Sequence, residues 1–419
     1  MNTENVIVKQ SLHPLPSDKG AVFCSEKEGY SSYIRQTSGK EVHFGEITLP
    51  SSKSESNRAL MIAAYGGFDS DFQNLSDSSD TRVLMNALRA VQQKESTIDV
   101  ADCGTAARFL TTYLACHKGD WFLTGTKRMK QRPIKPLVNA LRELGADIQY
   151  AELEGFLPLH IQGKPVEGGK VGIDMSQSSQ FASSLLLAAP MWTKGLELEL
   201  LGTLNSFPYL KMTVEMMRHF GARVECEGRM VMVEAHPYRF KRFEVSSDWT
   251  AASYWYEMAA LSEACMIKLR GVNIASTIQG DAIIAEWMRS FGVCTTACEN
   301  GIVLTKMPIE PKPLFFDFSN NPDLYPTIAA TCAGLGCEAC FKGLDNMRVK
   351  ESDRVEAMEM ELGKMANQPI RFSAHNDHRI VMALAPLSLR LGPVSFDHPE
   401  VVEKSYSSYW EDVGFLPIR

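Results

Sequence analysis

The 419-residue chain is 45% hydrophobic and 22% charged with a net charge of −7, the profile of an ordinary globular protein whose length suits roughly two domains. The acidic balance excludes broad affinity for nucleic acid or membrane surfaces, which both depend on a basic excess, so any anion must be met by local cations. Apolar runs stop short of the ~20 residues of a membrane span, Met1-Asn2-Thr3-Glu4-Asn5 begins no secretory signal, and the ten scattered Cys read as reduced thiols, which together predict a cytoplasmic protein.

Taken in chain order, six Ala-rich apolar helices are predicted, each directly after a polar cluster, beginning at Asn57-Arg58, Thr105-Ala106, Gln180-Phe181, Thr250-Ala251, Leu324-Tyr325 and Asp377-His378. These starts step by 48, 75, 70, 74 and 53 residues. Between them, more amphipathic helices at 137–144, 212–220 and 284–291 run into Gly145, Gly221 and Gly292 and then into alternating strand patterns. The simplest account is a unit of strand, helix, strand, helix and strands repeated six times, with the short first and last steps predicting a lost hairpin in the first and last repeats. Helices with little charge on any face belong in an interior with sheets packed around them, and three such units close a domain. Cys332, Cys337 and Cys340 have a C-x4-C-x2-C spacing, but Cys332 lies within a predicted helix and no fourth ligand accompanies them. They read as core thiols, and no metal is expected.

The polar residues before these helices include preferred N-caps, and capping accounts for part of the pattern. Parallel internal helices also present their N-termini together, where unpaired N–H groups and the positive dipole end favour anions. The stretch Asn346-Met347-Arg348-Val349-Lys350-Glu351-Ser352-Asp353-Arg354 places two Arg, one Lys and two carboxylates in nine residues. Alone it reads as a solvated helix face. Beside five other polar clusters at the same structural position it suits a small phosphorylated acid.

Five segments, in order, carry a resemblance: Pro50-Ser51-Ser52-Lys53-Ser54-Glu55-Ser56-Asn57-Arg58, Arg128-Met129-Lys130-Gln131-Arg132-Pro133, Ser178-Ser179-Gln180-Phe181, the 346–354 stretch, and Asn376-Asp377-His378-Arg379. From about residue 45 to the C-terminus the chain resembles the 5-enolpyruvylshikimate-3-phosphate synthase family of enolpyruvyl transferases. The sister family that acts on UDP-N-acetylglucosamine shares the fold, but the Lys-Ser and Ser-Ser-Gln pairs look like the shikimate enzyme.

The resemblance implies an α+β protein with two inside-out α/β barrel domains and six repeats of buried parallel helices surrounded by sheets. One discontinuous domain would combine 1–51 with 246–419, residues 1–28 being a possible mobile extension, and 52–245 would form an inserted domain. It implies transfer of the enolpyruvyl group of phosphoenolpyruvate to the 5-hydroxyl of shikimate 3-phosphate with release of phosphate, by a cytoplasmic monomer without cofactor, metal, nucleic acid or membrane partner. Shikimate 3-phosphate would be held by Lys53, Ser54, Arg58, Ser178, Ser179, Gln180, Ser206, Tyr209, Asp323, Asn346 and Lys350. Phosphoenolpyruvate would be held by Lys53, Gly104, Arg132, Gln180, Glu351, Arg354, Arg379 and Lys404.

Addition of a hydroxyl to C2 of an enol ether requires a proton delivered to C3 and one removed from the hydroxyl. Glu351 is the candidate acid and Asp323 the candidate base. Lys53 would stabilise the tetrahedral intermediate or share proton transfer, and His378 would tune Glu351, its alternative role being that of a satisfied cap residue. Two departures stand out: Asp102-Cys103-Gly104-Thr105 replaces the family's Asn-Ala-Gly-Thr, and Phe109 stands where Pro is common. An Asp beside a bound phosphate repels it unless paired or protonated. Asp102 and the short repeats keep open a silent shikimate-phosphate-binding paralogue, and an enolpyruvyl transferase for another hydroxyl acceptor is the other alternative. The joint presence of Lys53, Asp323, Glu351, Arg354, His378 and Arg379 favours the enzyme, because a pure binder needs no acid and base.

Overall fold

A computed structural model describes residues 6–8, 34–37, 41–69, 71–309 and 313–414, with side chains described from residue 45 onward. Apart from Val6–Val8, the N-terminal stretch predicted as an extension lies outside the described residues. The chain divides into two compact units, Ser51–Val245 and the pair Met1–Pro50 with Ser246–Arg419.

Strands β1 (Val6–Val8), β2 (Ile34–Thr37) and β3 (Glu41–Thr48) precede the first helix pair, α1 (Lys53–Gly66) and α2 (Ser79–Gln92). A full repeat follows as β4 (Thr97–Asp99), α3 (Gly104–Cys116), β5 (Gly119–Thr124), α4 (Lys135–Glu143), β6 (Asp147–Tyr150) and β7 (Leu159–Gly163). The next is β8 (Gly169–Asp174), α5 (Ser179–Ala188), β9 (Leu196–Leu201), α6 (Phe207–His219), β10 (Val224–Glu227) and β11 (Met230–Val233). Then come α7 (Trp249–Leu261), β12 (Ala264–Arg270), α8 (Ile284–Trp287), β13 (Val293–Cys298) and β14 (Gly301–Lys306). The last two repeats are β15 (Leu314–Asp317), α9 (Tyr325–Leu335), β16 (Ala339–Lys342), α10 (Arg354–Leu362), and β17 (Ile370–Phe372), α11 (His378–Leu384), β18 (Val394–Phe396).

Two sheets have one recipe: a parallel pair joined through a buried helix, then a hairpin laid antiparallel against the second strand, in the orders β4-β5-β7-β6 and β8-β9-β11-β10. The third repeats that order as β3-β12-β14-β13, but its first strand comes from the N-terminal side of the other unit, with Ala264 opposite Glu41, which makes its unit discontinuous. The shortening differs from the expectation in its distribution. Among the described residues α1 and α2 carry no hairpin, and Gln73 makes a single parallel bridge to Glu244 instead. The step of 53 belongs to the fifth repeat, where β1 fills the third sheet position beside β16, while β17 and β18 form only a parallel pair.

Within each unit the three apolar helices pack on one another, α1 with α3 and α5, and α7 with α9 and α11. Every residue of α7 and of α11 is buried. Such helices cannot satisfy their ends with water from all sides, and five of the six have a side-chain cap: Ser52, Cys103, Ser178, Asp248 and Asp377 accept from the first-turn N–H groups. α9 instead continues from the short turn Pro322–Leu324. α1 starts at Lys53 rather than at Asn57, because Ser52 and Glu55 form the Ser-x-x-Glu start signature; Asn57 and Arg58 therefore lie in its second turn. Among the described residues no helix is long and apolar enough to cross a membrane, and no group of three or more His, Cys, Asp or Glu could hold a metal ion.

Candidate active site

In residues 51–245 the predicted residues gather at the N-terminal ends of the helices. Lys53, the first residue of α1, lies with its Nζ 3.0 Å from Asp80 Oδ2 at the start of α2. Arg58 is buried and donates from Nε to Thr213 Oγ1 at 2.7 Å, from Nη1 to the Ser54 carbonyl at 2.9 Å and from Nη2 to the Tyr209 carbonyl at 3.2 Å. Burial pulls this guanidinium down to about 10, yet it stays charged at neutral pH. Thr213 in turn donates to Ser183 Oγ at 3.0 Å, so α1, α5 and α6 are cross-linked through one hydroxyl. Ser206, at the start of α6, holds a left-handed φ of 56°, a conformation expensive for a non-glycine residue.

The starts of α3 and α5 meet where Gln180 Nε2 donates to Thr105 Oγ1 at 3.0 Å, while Ser178 Oγ caps α5 by accepting from Gln180 N at 3.2 Å. Gly104 opens α3 beneath the Arg132 guanidinium: a Cβ there would stand 2.6 Å from Arg132 Nη1 and 2.8 Å from Nη2. Only a glycine permits that guanidinium to lie on the helix start. Asp102 is exposed and accepts from the Thr126 hydroxyl.

In residues 246–414 a charge network assembles at the starts of α9, α10 and α11. Arg354, 1% exposed, donates from Nη1 to Asp323 Oδ1 at 2.7 Å, from Nη2 to Glu351 Oε2 at 2.9 Å and from Nε to Asp377 Oδ2 at 2.7 Å. Arg379 Nη2 lies 2.8 Å from Asp323 Oδ2, and its Nη1 donates to the Tyr254 hydroxyl at 3.4 Å. Lys404 Nζ approaches Glu351 Oε1 to 3.9 Å, and His378 Nδ1 lies 3.6 Å from Asp377 Oδ1. Burial alone would raise the Asp323 carboxyl, but Arg379, Arg354 and Lys350 outweigh it and the Glu351 charge, holding Asp323 well below the ordinary carboxylate range. For Arg354 burial is likewise outweighed, by Asp377, Glu351 and Asp323, so its proton is held more tightly than usual. An arginine so placed cannot be exchanged for lysine, since it serves three carboxylates with one planar fork.

Residues to which the sequence assigned no role of their own complete the two clusters. Asp377 is both the α11 cap and the fully buried counter-ion of Arg354, and it also accepts from Ser352 Oγ at 3.1 Å. Asp281 is buried between Thr250 Oγ1, 2.5 Å from Oδ2, and Asn321 Nδ2, 3.0 Å from Oδ1. Burial, reinforced by the Asp323 charge, pushes its carboxyl up against those two bonds. Asp80 pairs with Lys53. Their partners lie 23 to 40 positions away in sequence, so no local spacing reveals them. The sequence does hold one clue: each carboxylate stands at or near a helix start. Asn346 is buried before α10, whereas Lys350 is half-buried.

Such an arrangement can bind compact dianions and trianions, and it carries carboxylates within reach of the same guanidinium groups, which is what proton transfer next to a bound anion requires. Comparison with known proteins agrees with that chemistry. The family model for EPSP synthase (3-phosphoshikimate 1-carboxyvinyltransferase) matches residues 38–102 and 90–413. A 3-phosphoshikimate 1-carboxyvinyltransferase of Bacteroides fragilis (strain YCH46) is 41% identical over 388 residues, covering 88% of this chain and 94% of that protein. One from Histophilus somni (strain 2336) is 35% identical over 88% of this chain and 95% of its own. Among solved structures, EPSP synthase from Acinetobacter baumannii superposes with a TM-score of 0.67 at 21% identity, covering 92% of this chain and 98% of that one, a likeness of fold.

Proposed function

The chain belongs to the EPSP synthase (3-phosphoshikimate 1-carboxyvinyltransferase) family, and from that premise we propose how its two clusters divide the work of moving an enolpyruvyl group from phosphoenolpyruvate to shikimate 3-phosphate. The observation that carries the proposal is the Arg354 fork with Asp323, Glu351 and Asp377, a set of groups that a passive binding site has no use for.

Shikimate 3-phosphate is held by Ser54, Arg58, Ser178, Ser179, Gln180, Ser206 and Tyr209, with Asn346 and Lys350 completing its shell. Hydroxyls at helix starts and one guanidinium suit a phosphate and a carboxylate. Phosphoenolpyruvate is held by Arg132 over Gly104 and by Arg354, Arg379 and Lys404. The incoming anion competes with Asp323 and Glu351 for the same guanidinium donors, and each bond it takes from a carboxylate makes that carboxylate more basic.

That exchange supplies the proton chemistry. Asp323, released from Arg354 and Arg379, accepts the proton of the 5-hydroxyl as its oxygen bonds to C2, while Glu351 delivers a proton to C3. Lys53 stabilises the tetrahedral adduct. Its collapse expels phosphate, which leaves with the proton held by Asp323, while Glu351 takes a proton back from C3 and the double bond is restored. His378, buried beside Asp377, holds the Glu351 side of the network in place. The protein acts as a cytoplasmic monomer, a state that sedimentation of the purified chain tests directly.

The test is phosphate release with both substrates. Turnover that requires both acids supports the reading, and binding of shikimate 3-phosphate without turnover replaces it with a silent paralogue.

A further inference from the structure

We propose that Glu361 and His375 form a clamp that positions the turn carrying Asp377, His378 and Arg379, and so sets the grip on phosphoenolpyruvate; this rests on the reading of Arg354 and Arg379 as that acid's ligands. Glu361 closes α10, and its carboxylate is fully buried. Its Oε1 pairs with His375 Nε2 at 2.7 Å, and its Oε2 accepts from Ser373 N at 2.8 Å and Lys364 Nζ at 2.6 Å. Three partners within 14 residues converge on one side chain far from solvent.

What they converge on is a strained turn. His375 and Asn376 have φ of 49° and 53°, two successive non-glycine residues in the left-handed region immediately before Asp377. His and Asn tolerate that region better than most residues, but it persists only where the surroundings impose it. The restraint comes from both sides. Asp397 accepts from Ala374 N at 2.7 Å and Ser373 Oγ at 2.8 Å, and Glu361 takes Ser373 N and the His375 ring.

The consequence is a closed mechanical loop. Arg354, the first residue of α10, grips Asp377 through Nε at 2.7 Å, and Glu361 near its end grips His375, two residues before Asp377. Helix and turn are therefore joined at both ends. Arg379 points from this turn to Asp323 at 2.8 Å. Between α10 and β17 lies only the short helical turn Gly363–Ala366, with no hairpin, so in the short fifth repeat the Glu361–His375 pair stands where a full repeat has its hairpin.

Steady-state kinetics of Glu361→Ala, His375→Ala and His375→Gln test this. Releasing the turn displaces Arg379 by a fraction of its reach, and misplacement of that size is expected to raise the KM for phosphoenolpyruvate roughly 10- to 100-fold. The KM for shikimate 3-phosphate should change less than twofold, and His375→Gln, whose amide can still donate to Glu361, should recover most of the loss. A merely structural role would move both KM values together or neither, and would show no rescue by Gln; either result overturns the proposal. His375 is partly exposed, so its variants keep the test available if Glu361→Ala does not fold. Arg379→Ala serves as the control: if it leaves the phosphoenolpyruvate KM unchanged, the ligand assignment has failed, whereas a rise there beside a wild-type-like His375→Ala defeats the clamp alone.

Discussion

In residues 51–245 the buried guanidinium of Arg58 leans on a hydroxyl and two backbone carbonyls, whereas in residues 246–414 that of Arg354 leans on three carboxylates. In the first cluster the hydrogen-bond acceptors of Arg58 are neutral, so an arriving anion need not take its donors from a carboxylate. The second is internally neutralised, and an anion must take donors away from carboxylates that then become bases. One region positions and the other reacts. Lys53 in the first region differs from Arg58 in being paired with a carboxylate, Asp80, and it is the residue there assigned a share in the chemistry.

The largest expected effect belongs to the reacting side. Glu351→Gln keeps an oxygen for Arg354 Nη2, 2.9 Å away in the native chain, so the fork should hold its geometry while the transferable proton is lost. Turnover is expected to fall about 10²–10⁴-fold with shikimate 3-phosphate affinity nearly intact, as measured by phosphate release and by titration calorimetry. An unchanged turnover would remove Glu351 from the acid role.

Next comes the stability contrast between the two arginines. Arg354→Ala leaves the fully buried Asp377 without its counter-ion and is expected to cost about 3–5 kcal/mol. Arg58→Ala strands neutral hydrogen-bond acceptors, at about 1–3 kcal/mol. Urea midpoints decide, and equal losses would erase the distinction drawn between the regions. Acidification sharpens the comparison. Asp323 is held below its ordinary value of 3.8, so the stability it contributes is present above that value and is lost as pH falls through its lower, folded-state value. The gap between wild type and Arg354→Ala should therefore narrow at strongly acid pH, while the Arg58→Ala gap should not.

These predictions draw on residues of unequal visibility in the sequence. The six buried helices are legible because Ala-rich segments without a charged face have only one place to go, and their caps mark where they begin. Even so, α1 begins four residues earlier than its apolar run suggests, since Ser52 and Glu55 outrank hydrophobicity at a helix start. The cations of the candidate site are equally legible, as polar residues at helix starts. Two of their counter-ions, Asp323 and Glu351, are legible too, but the pairings of other buried carboxylates are not. Asp281 depends on Asn321 and Glu361 on His375, pairings set by how repeats stack rather than by any spacing along the chain. The place of β1 beside β16 is hidden for the same reason, because three apolar residues carry no signature of a partner more than three hundred positions away.

A smaller effect probes the spot where a predicted phosphoenolpyruvate ligand of the positioning region lies directly on a glycine. Gly104→Ala would set a methyl 2.6 Å from Arg132 Nη1, forcing the guanidinium off the start of α3. The KM for phosphoenolpyruvate is expected to rise by roughly tenfold, toward but not beyond the effect of Arg132→Ala. Because both changes act through the same guanidinium, the double variant should resemble Arg132→Ala rather than the sum. Additive losses in that cycle would mean that Gly104 serves the anion through its own N–H and not by making room.

The smallest effect is expected at Asp102, where the positioning region carries a negative charge two residues ahead of Gly104. The side chain is exposed and already bonded to the Thr126 hydroxyl, so Asp102→Asn should leave stability within about 0.5 kcal/mol. What it removes is a repulsion reaching through solvent. The KM for the anionic substrates should therefore drop slightly at low ionic strength, and the difference should vanish as salt rises past ~0.1 M, where screening acts over about 10 Å. A salt-independent drop would instead place Asp102 against a bound anion, and the positioning region would then contain a carboxylate competing with substrate just as Asp323 and Glu351 do in the other.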